Sequence, residues 1–138
     1  MHIDLENGRL DVDITHDGAR NATFDIVGET TADLDPIRII DIKELVHEAG
    51  YKITRLRLDW VQYYVGEGLS AELLWEGEDD VHKHILTLSG KGRSEHEKMG
   101  GKQNNSVKPT GNIMLAISGS DGKRRTFSIE VEAVKQFT

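Results

Sequence analysis

His82 and His84 are separated by one residue in His82-Lys83-His84, and Glu78, Asp79 and Asp80 lie just ahead of them. Two imidazoles on one side of an extended strand, with carboxylates nearby, are donors that zinc or another divalent ion takes. A mononuclear site needs at least three converging ligands, so the expectation is a solvated strand edge whose charges discourage aggregation. Glu130 and Glu132 share the outward side of a strand near the C-terminus. Paired carboxylates do acid–base work only in a cleft that shifts their pKa, and this spacing is that of any half-exposed strand.

The histidine tripeptide also resembles the HxH element of cupins. The interval from Gly77 to His82 is one residue short of that pattern, and Leu88 and Ser89 stand where a glutamate is needed. Gly90-Lys91-Gly92-Arg93-Ser94 has the residue types of a phosphate loop without the Walker spacing or a following helix. Trp60, Tyr63, Tyr64 and Trp75 could form a platform for a sugar or a base. Trp60 and Trp75 are in register with leucines, which predicts burial for both, while Tyr63 and Tyr64 point to opposite faces. The sequence therefore implies no catalytic residue, no metal ligand set and no cofactor, and the expectation is a protein that is not an enzyme.

The elements that would position these residues are strands. Leu10, Val12 and Ile14 alternate with Asp11, Asp13 and Thr15, and Phe24 and Ile26 alternate with Thr23 and Asp25. A period of two puts each set on one face of a pleated strand, and Asp17-Gly18 between them suits a tight hairpin turn, as does Asn7-Gly8 before them. Leu56, Leu58 and Trp60 begin a strand that continues through Tyr63 with a change of register. Its expected partner is Ala71–Glu76 across Gly66-Glu67-Gly68. His82–Ser89 reads as a further strand. Ile113, Leu115 and Ile117, then Phe127, Ile129, Val131 and Ala133, read as a hairpin across Asp121-Gly122. Asp35-Pro36 precedes a strand that starts at Ile37. One short helix or helical turn is expected near 42–49, where helix formers precede Gly50. The prediction is an all-β single domain over 1–138, a β-sandwich of jelly-roll type with about eight strands.

Charge is unevenly spread. The 138 residues carry 17 Lys and Arg against 24 Asp and Glu, a net charge of -7, which opposes general attraction to nucleic acid. The N-terminal hairpin region, residues 1–36, is strongly acidic. The segment 91–109 is basic, Gly- and Asn-rich, and free of apolar periodicity. Structureless stretches of that length are uncommon in compact domains unless they are functional or disordered. It reads as a long loop or arm, with Lys91, Arg93, Lys98, Lys102 and Lys108 as candidate protein-binding residues. The chain has no cysteine, so disulfides and thiol chemistry are excluded, and no apolar run approaches a membrane span.

From Ile37 to Val134 the order of motifs resembles a group of small β-rich virion proteins of tailed bacteriophages. The matching pieces include Ile53–Trp60, Leu73-Leu74-Trp75-Glu76-Gly77, Leu86–Gly92, Gly100–Asn105, Thr110–Leu115 and Thr126–Glu132. The resemblance implies a capsid decoration or cement protein that binds the major capsid protein or other virion proteins in many copies or as a homo-oligomer. It would be made in the host cytoplasm and reside in the virion, with no nucleic-acid or membrane partner. A head-to-tail connector or collar component, or a carbohydrate-binding module for host adsorption, is the alternative.

Overall fold

The computed structural model describes residues 1–47 and 50–137. Its strands are β1 (His2–Leu5), β2 (Gly8–Asp17), β3 (Asn21–Thr30), β4 (Leu34–Ile40), β5 (Ile53–Val65), β6 (Ser70–Gly77), β7 (Lys83–Leu88), β8 (Gly90–Glu95), β9 (Pro109–Ser118) and β10 (Arg125–Phe137). They form two antiparallel sheets, one ordered β1-β2-β3-β10-β5-β8 and the other β4-β9-β6-β7. From β3 onward the chain switches between the sheets at nearly every connection, staying in one sheet only from β6 to β7. That order is the jelly roll, with the β1–β2 hairpin added at one edge of the larger sheet.

Alternation explains which residues meet between the sheets. Phe24, Ile26, Leu56, Leu58, Phe127, Ile129 and Val131 come from the larger sheet; Leu73, Trp75, Ile85, Leu88, Ile113, Leu115 and Ile117 come from the smaller one. All are buried, with Trp75 only 1% exposed, and each large side chain of this kind contributes about 1.5–3 kcal/mol by leaving water.

Several expectations change. Gly66-Glu67-Gly68 does not close a hairpin: β5 and β6 lie in different sheets, as do β9 and β10 on either side of Asp121-Gly122. Turn residues reverse the chain equally well within a sheet and across a sandwich, so their chemistry alone does not specify pairing. The two N-terminal hairpins do form: β1 pairs with β2 from His2↔Asp11 to Leu5↔Gly8, and β2 pairs with β3. Near 42–49 the helical element is one 3₁₀ turn, Ile42–Glu44, whose Lys43 amide donates to the Asp41 side chain at 3.0 Å. Glu48 and Ala49 lie outside the described residues.

Trp60 is not in the core. The β5–β10 register shifts between Leu58↔Ala133 and Trp60↔Glu132, so β5 carries one extra residue, Asp59. A β-bulge of this kind reverses the phase of alternation. Leu56 and Leu58 point inward before it, Val61 and Val65 after it, and Trp60 is turned to the outer face.

The segment 91–109 is not a free arm either. Its first part is β8, the edge strand paired with β5 from Trp60↔Glu95 to Val65↔Gly90. A 3₁₀ turn, Glu97–Met99, follows, and Lys102 then forms an isolated bridge with Leu58. No apolar alternation marks β8 because its inward position opposite Tyr63 is Gly92. A Cβ there would come within 2.7 Å of the Tyr63 hydroxyl, so the ring of β5 fills the space a β8 side chain would otherwise take.

Candidate functional site

The two histidines do not converge. His84 is on β7, an edge strand, and its Nδ1 is 2.6 Å from a Glu72 carboxylate oxygen. His82 precedes the strand, and its Nδ1 accepts from the Gly77 amide at 3.3 Å. Among the described residues no group of three His, Cys, Asp or Glu side chains is arranged to hold a metal ion. Glu132 accepts hydrogen bonds from Trp60 Nε1 and from Asn21 Nδ2, whereas its neighbour Glu130 stands opposite Asp25 of β3. The Gly90–Ser94 segment lies in an extended edge strand, with no helix N-terminus to cradle a phosphate.

A cleft of about 610 Å³ opens at the end of the smaller sheet between Arg38, Lys52, Glu78, Pro109 and neighbouring residues. Glu76 of β6 forms part of its wall. Arg38 of β4 donates to both Glu76 oxygens, from Nε at 3.0 Å and Nη2 at 2.9 Å. Thr110 Oγ1 and Asn112 Nδ2, both on β9, also donate to Glu76 Oε1, at 2.8 and 3.0 Å. Burial raises the Glu76 pKa, but the donors from Arg38, Thr110 and Asn112 outweigh it and hold the carboxyl below its ordinary value. Asn112 Oδ1 accepts from the Ile42 amide, tying the 3₁₀ turn to the same knot. This network links β4, β6 and β9, and its bidentate pairing leaves Glu76 committed as a structural group. In the sequence the only mark of Glu76 is that it is a glutamate following Trp75 within a strand.

A second polar knot was also hidden. Lys135 Nζ is wholly removed from solvent and donates to Asp17 Oδ1, and to the carbonyls of Gly18 and Val46 at 2.6 Å each. Its signal was a lysine in phase with inward-facing Val131 and Ala133.

The outer face of the six-stranded sheet holds the most unevenly distributed chemistry. On one row running across the strands, Arg93 of β8 stands opposite Gln62 of β5, Gln62 opposite Glu130 of β10, Glu130 opposite Asp25 of β3, and Asp25 opposite Asp13 of β2. The next row runs from Lys91 through Tyr64, Ser128 and Val27 to Asp11. In these two rows the face is basic at the β8 edge, aromatic on β5 and acidic from β10 to β2; beyond them Glu95 pairs with Arg93 on β8, and Arg9 of β2 pairs with Glu29. Neighbouring strands lie about 4.8 Å apart, so about 19 Å separates Arg93 from Asp13, more than two screening lengths at physiological salt. The two ends act as separate electrostatic surfaces.

Of the five candidate cations, Lys91 and Arg93 share the outer side of β8. Arg93 is already engaged, its Nε 2.6 Å from Glu95 and its guanidinium carbon 4.4 Å from the centre of a Trp60 ring. Lys98 lies in the 3₁₀ turn beyond, and Lys102 in the bridge to β5. Lys108 is set apart: its carbonyl accepts from the Glu78 amide, beside the smaller sheet. Between them, His96 has its pKa lowered by burial and by the Lys102 charge. Tyr64 is 52% exposed, while Tyr63 packs against the core.

No protein-family model and no curated protein matches the sequence. Among solved structures, the cysteine peptidase Peruvianin-I from Thevetia peruviana latex is 11% identical with a TM-score of 0.36; the match covers 91% of this chain and 62% of the peptidase. A cupin domain from Bordetella pertussis Tohama I is 14% identical with a TM-score of 0.35, covering 96% of this chain and 99% of that domain. A cupin superfamily protein from Desulfitobacterium hafniense DCB-2 is 12% identical with a TM-score of 0.31, covering 93% and 81%. This chain thus spans less than two thirds of the peptidase. Likenesses at these scores say nothing about activity here.

Proposed function

We propose that this chain is a structural protein of a virus particle, a decoration or cement protein that binds the lattice of the major capsid protein and stabilises it. The observation that carries the reading is the charge gradient of the six-stranded face, from Lys91 and Arg93 on β8 to Glu130, Asp25 and Asp13 on the inner and far strands. A small sandwich with a filled core holds these two surfaces at a fixed separation, as a bridge between subunits requires. Repetition over a lattice turns individually weak contacts into firm attachment, because each bound copy holds its second surface at high effective concentration. The motifs between Ile37 and Val134 that resemble small virion proteins of tailed bacteriophages favour the same reading.

The test is quantitative mass spectrometry of purified particles, followed by add-back of the protein to particles that lack it. The expected result is a copy number comparable to that of the major capsid protein, with add-back weakened by Lys91→Glu combined with Arg93→Glu. A copy number matching a single ring at the tail vertex would support the connector or collar alternative instead. Absence from particles would overturn both.

A second reading rests on Tyr64, an exposed ring beside Gln62 and Lys91 on the open face, which suits stacking on a sugar. Binding on a glycan array that is lost in Tyr64→Ala would favour a carbohydrate-binding module, and a blank array would remove it.

A further inference from the structure

Glu130, Asp25 and Asp13 occupy adjacent positions on three neighbouring strands, within about 10 Å of one another along the row. Like charges directly opposite each other repel across a sheet. Among the described residues, neither Asp25 nor Glu130 has a hydrogen-bond or ion-pair partner, and the nearest cation to Asp13 is the N-terminal ammonium at 4.0 Å. The chain's own basic edge cannot relieve this row. Arg93 is two strands away from Glu130 and three from Asp25, about 10 and 14 Å, and a screening length is about 8 Å at physiological salt.

We infer that the carboxylate-lined half of the six-stranded face docks the basic β8 edge of a second copy of this chain. Charge complementarity selects that occupant: the one cation on the outer side of β2, Arg9, is taken by Glu29 and leaves Glu130 and Asp25 unpaired, whereas β8 displays Lys91 beside the Arg93–Glu95 pair. Each surface also offers an exposed apolar side chain among its charged groups, which at the basic end include Glu95 and Glu97 beside Arg93 and Lys98. Val27, 44% exposed, lies beside the carboxylate row, and Met99, 88% exposed, follows Lys98 at the basic end. An apolar contact inside a polar rim is the usual anatomy of a protein interface.

The two surfaces are different patches of one chain, so the contact is heterologous and propagates head to tail into a ring or a filament. It joins an edge to a face and does not extend the sheet, since charged side chains on β8 and the shortness of β1 disfavour edge-to-edge strand pairing. Each copy also carries a net charge of -7, which repels over the whole molecule when salt is scarce. Near physiological salt that repulsion is cut short while the close pairs across the contact persist, and at about 1 M salt they too are screened. Association should therefore be strongest at intermediate ionic strength. It requires no capsid and does not follow from one, so it stands or falls separately from the particle reading.

Sedimentation velocity on the full chain tests it, with two variants checked for fold by circular dichroism. Asp25→Lys with Glu130→Lys reverses the acidic row; Lys91→Glu with Arg93→Glu reverses the basic edge. The wild type should associate near physiological salt, and each variant alone should associate about tenfold more weakly or less. Mixing the two variants in equal amounts should restore association, because every reversed surface then meets its complement. A wild type that stays monomeric at all salt concentrations overturns the inference, even if it binds polylysine or a divalent cation. Association that ignores both substitutions, or a mixture of folded variants that fails to recover it, overturns it as well.

Discussion

Lys135 Nζ donates to the Asp17 carboxylate across 118 residues of sequence, and the lysine side chain has no solvent exposure. The Val46 amide donates to the other Asp17 oxygen at 2.9 Å, and the Val46 carbonyl accepts from the same Nζ at 2.6 Å. One ion pair thereby joins the β2–β3 turn, the last strand and the segment that follows the 3₁₀ turn. Removing one partner of a buried pair leaves the other charge and its carbonyl acceptors unsatisfied. Lys135→Met should cost about 3 kcal/mol in urea denaturation. Adding Asp17→Asn to that variant should recover part of the loss; equal, additive losses would show that the two groups do not interact.

Acid should weaken the fold through Glu76. Its folded pKa lies below the ordinary glutamate value of about 4.3, so the folded state binds fewer protons than the unfolded one between those two values. The stabilisation is fully present above the ordinary value and is lost as pH falls through the lowered one. Arg38 is half exposed, which limits the contribution of the pair. Glu76→Gln is therefore expected to be less stable than wild type by about 1–2 kcal/mol at pH 7. That gap should close as the pH drops below the glutamate range. A gap that stays constant from neutral to strongly acidic pH would mean that the carboxylate charge contributes nothing.

Much of the sandwich was legible because its central strands bury one face each, and a period of two survives in Phe24–Ile26, Ile113–Ile117 and Phe127–Ala133. What stayed hidden has particular physical causes. At Asp59 an extra residue reverses the phase, so extrapolating from Leu56 and Leu58 sends Trp60 to the wrong side. In β8 the ring of Tyr63 covers Gly92, and a strand without an apolar side chain looks like a loop. The charged outer face illustrates the same limit. The acidic and basic stretches are visible along the chain, but their standing at opposite ends of one sheet depends on β10 and β5 lying between β3 and β8. Pairing of strands far apart in sequence leaves no local mark.

Trp60 reports on the basic edge. Its ring lies under the Arg93 guanidinium and its Nε1 donates to Glu132, whereas Trp75 is buried in the core. Arg93→Ala should uncover the Trp60 ring and shift part of the fluorescence to longer wavelength. The loss of stability should be only about 0.5–1 kcal/mol, the size of an exposed cation–π contact. An unchanged spectrum would mean that Arg93 does not rest on the ring in solution.

Gly28 lies on β3 directly opposite Phe127 of β10, and a Cβ built on it would come within 2.5 Å of Phe127 Cζ and 2.7 Å of the Arg9 carbonyl oxygen. Phe127 is only 1% exposed, so its ring has no solvent into which to retreat. Alanine normally suits a strand better than glycine by relieving backbone entropy, an advantage of about 0.5–1 kcal/mol. Here overpacking opposes it with a penalty of about 1–3 kcal/mol, because the ring must leave its rotamer or β3 must shift away from β10. Gly28→Ala should therefore lower stability, and Phe127→Leu in the same chain should return part of it by shortening the side chain that the new methyl group meets. Thermal unfolding of the four proteins in this cycle measures the coupling directly. A Gly28→Ala variant as stable as wild type would show that the Phe127 ring does not pack across β3 at that position.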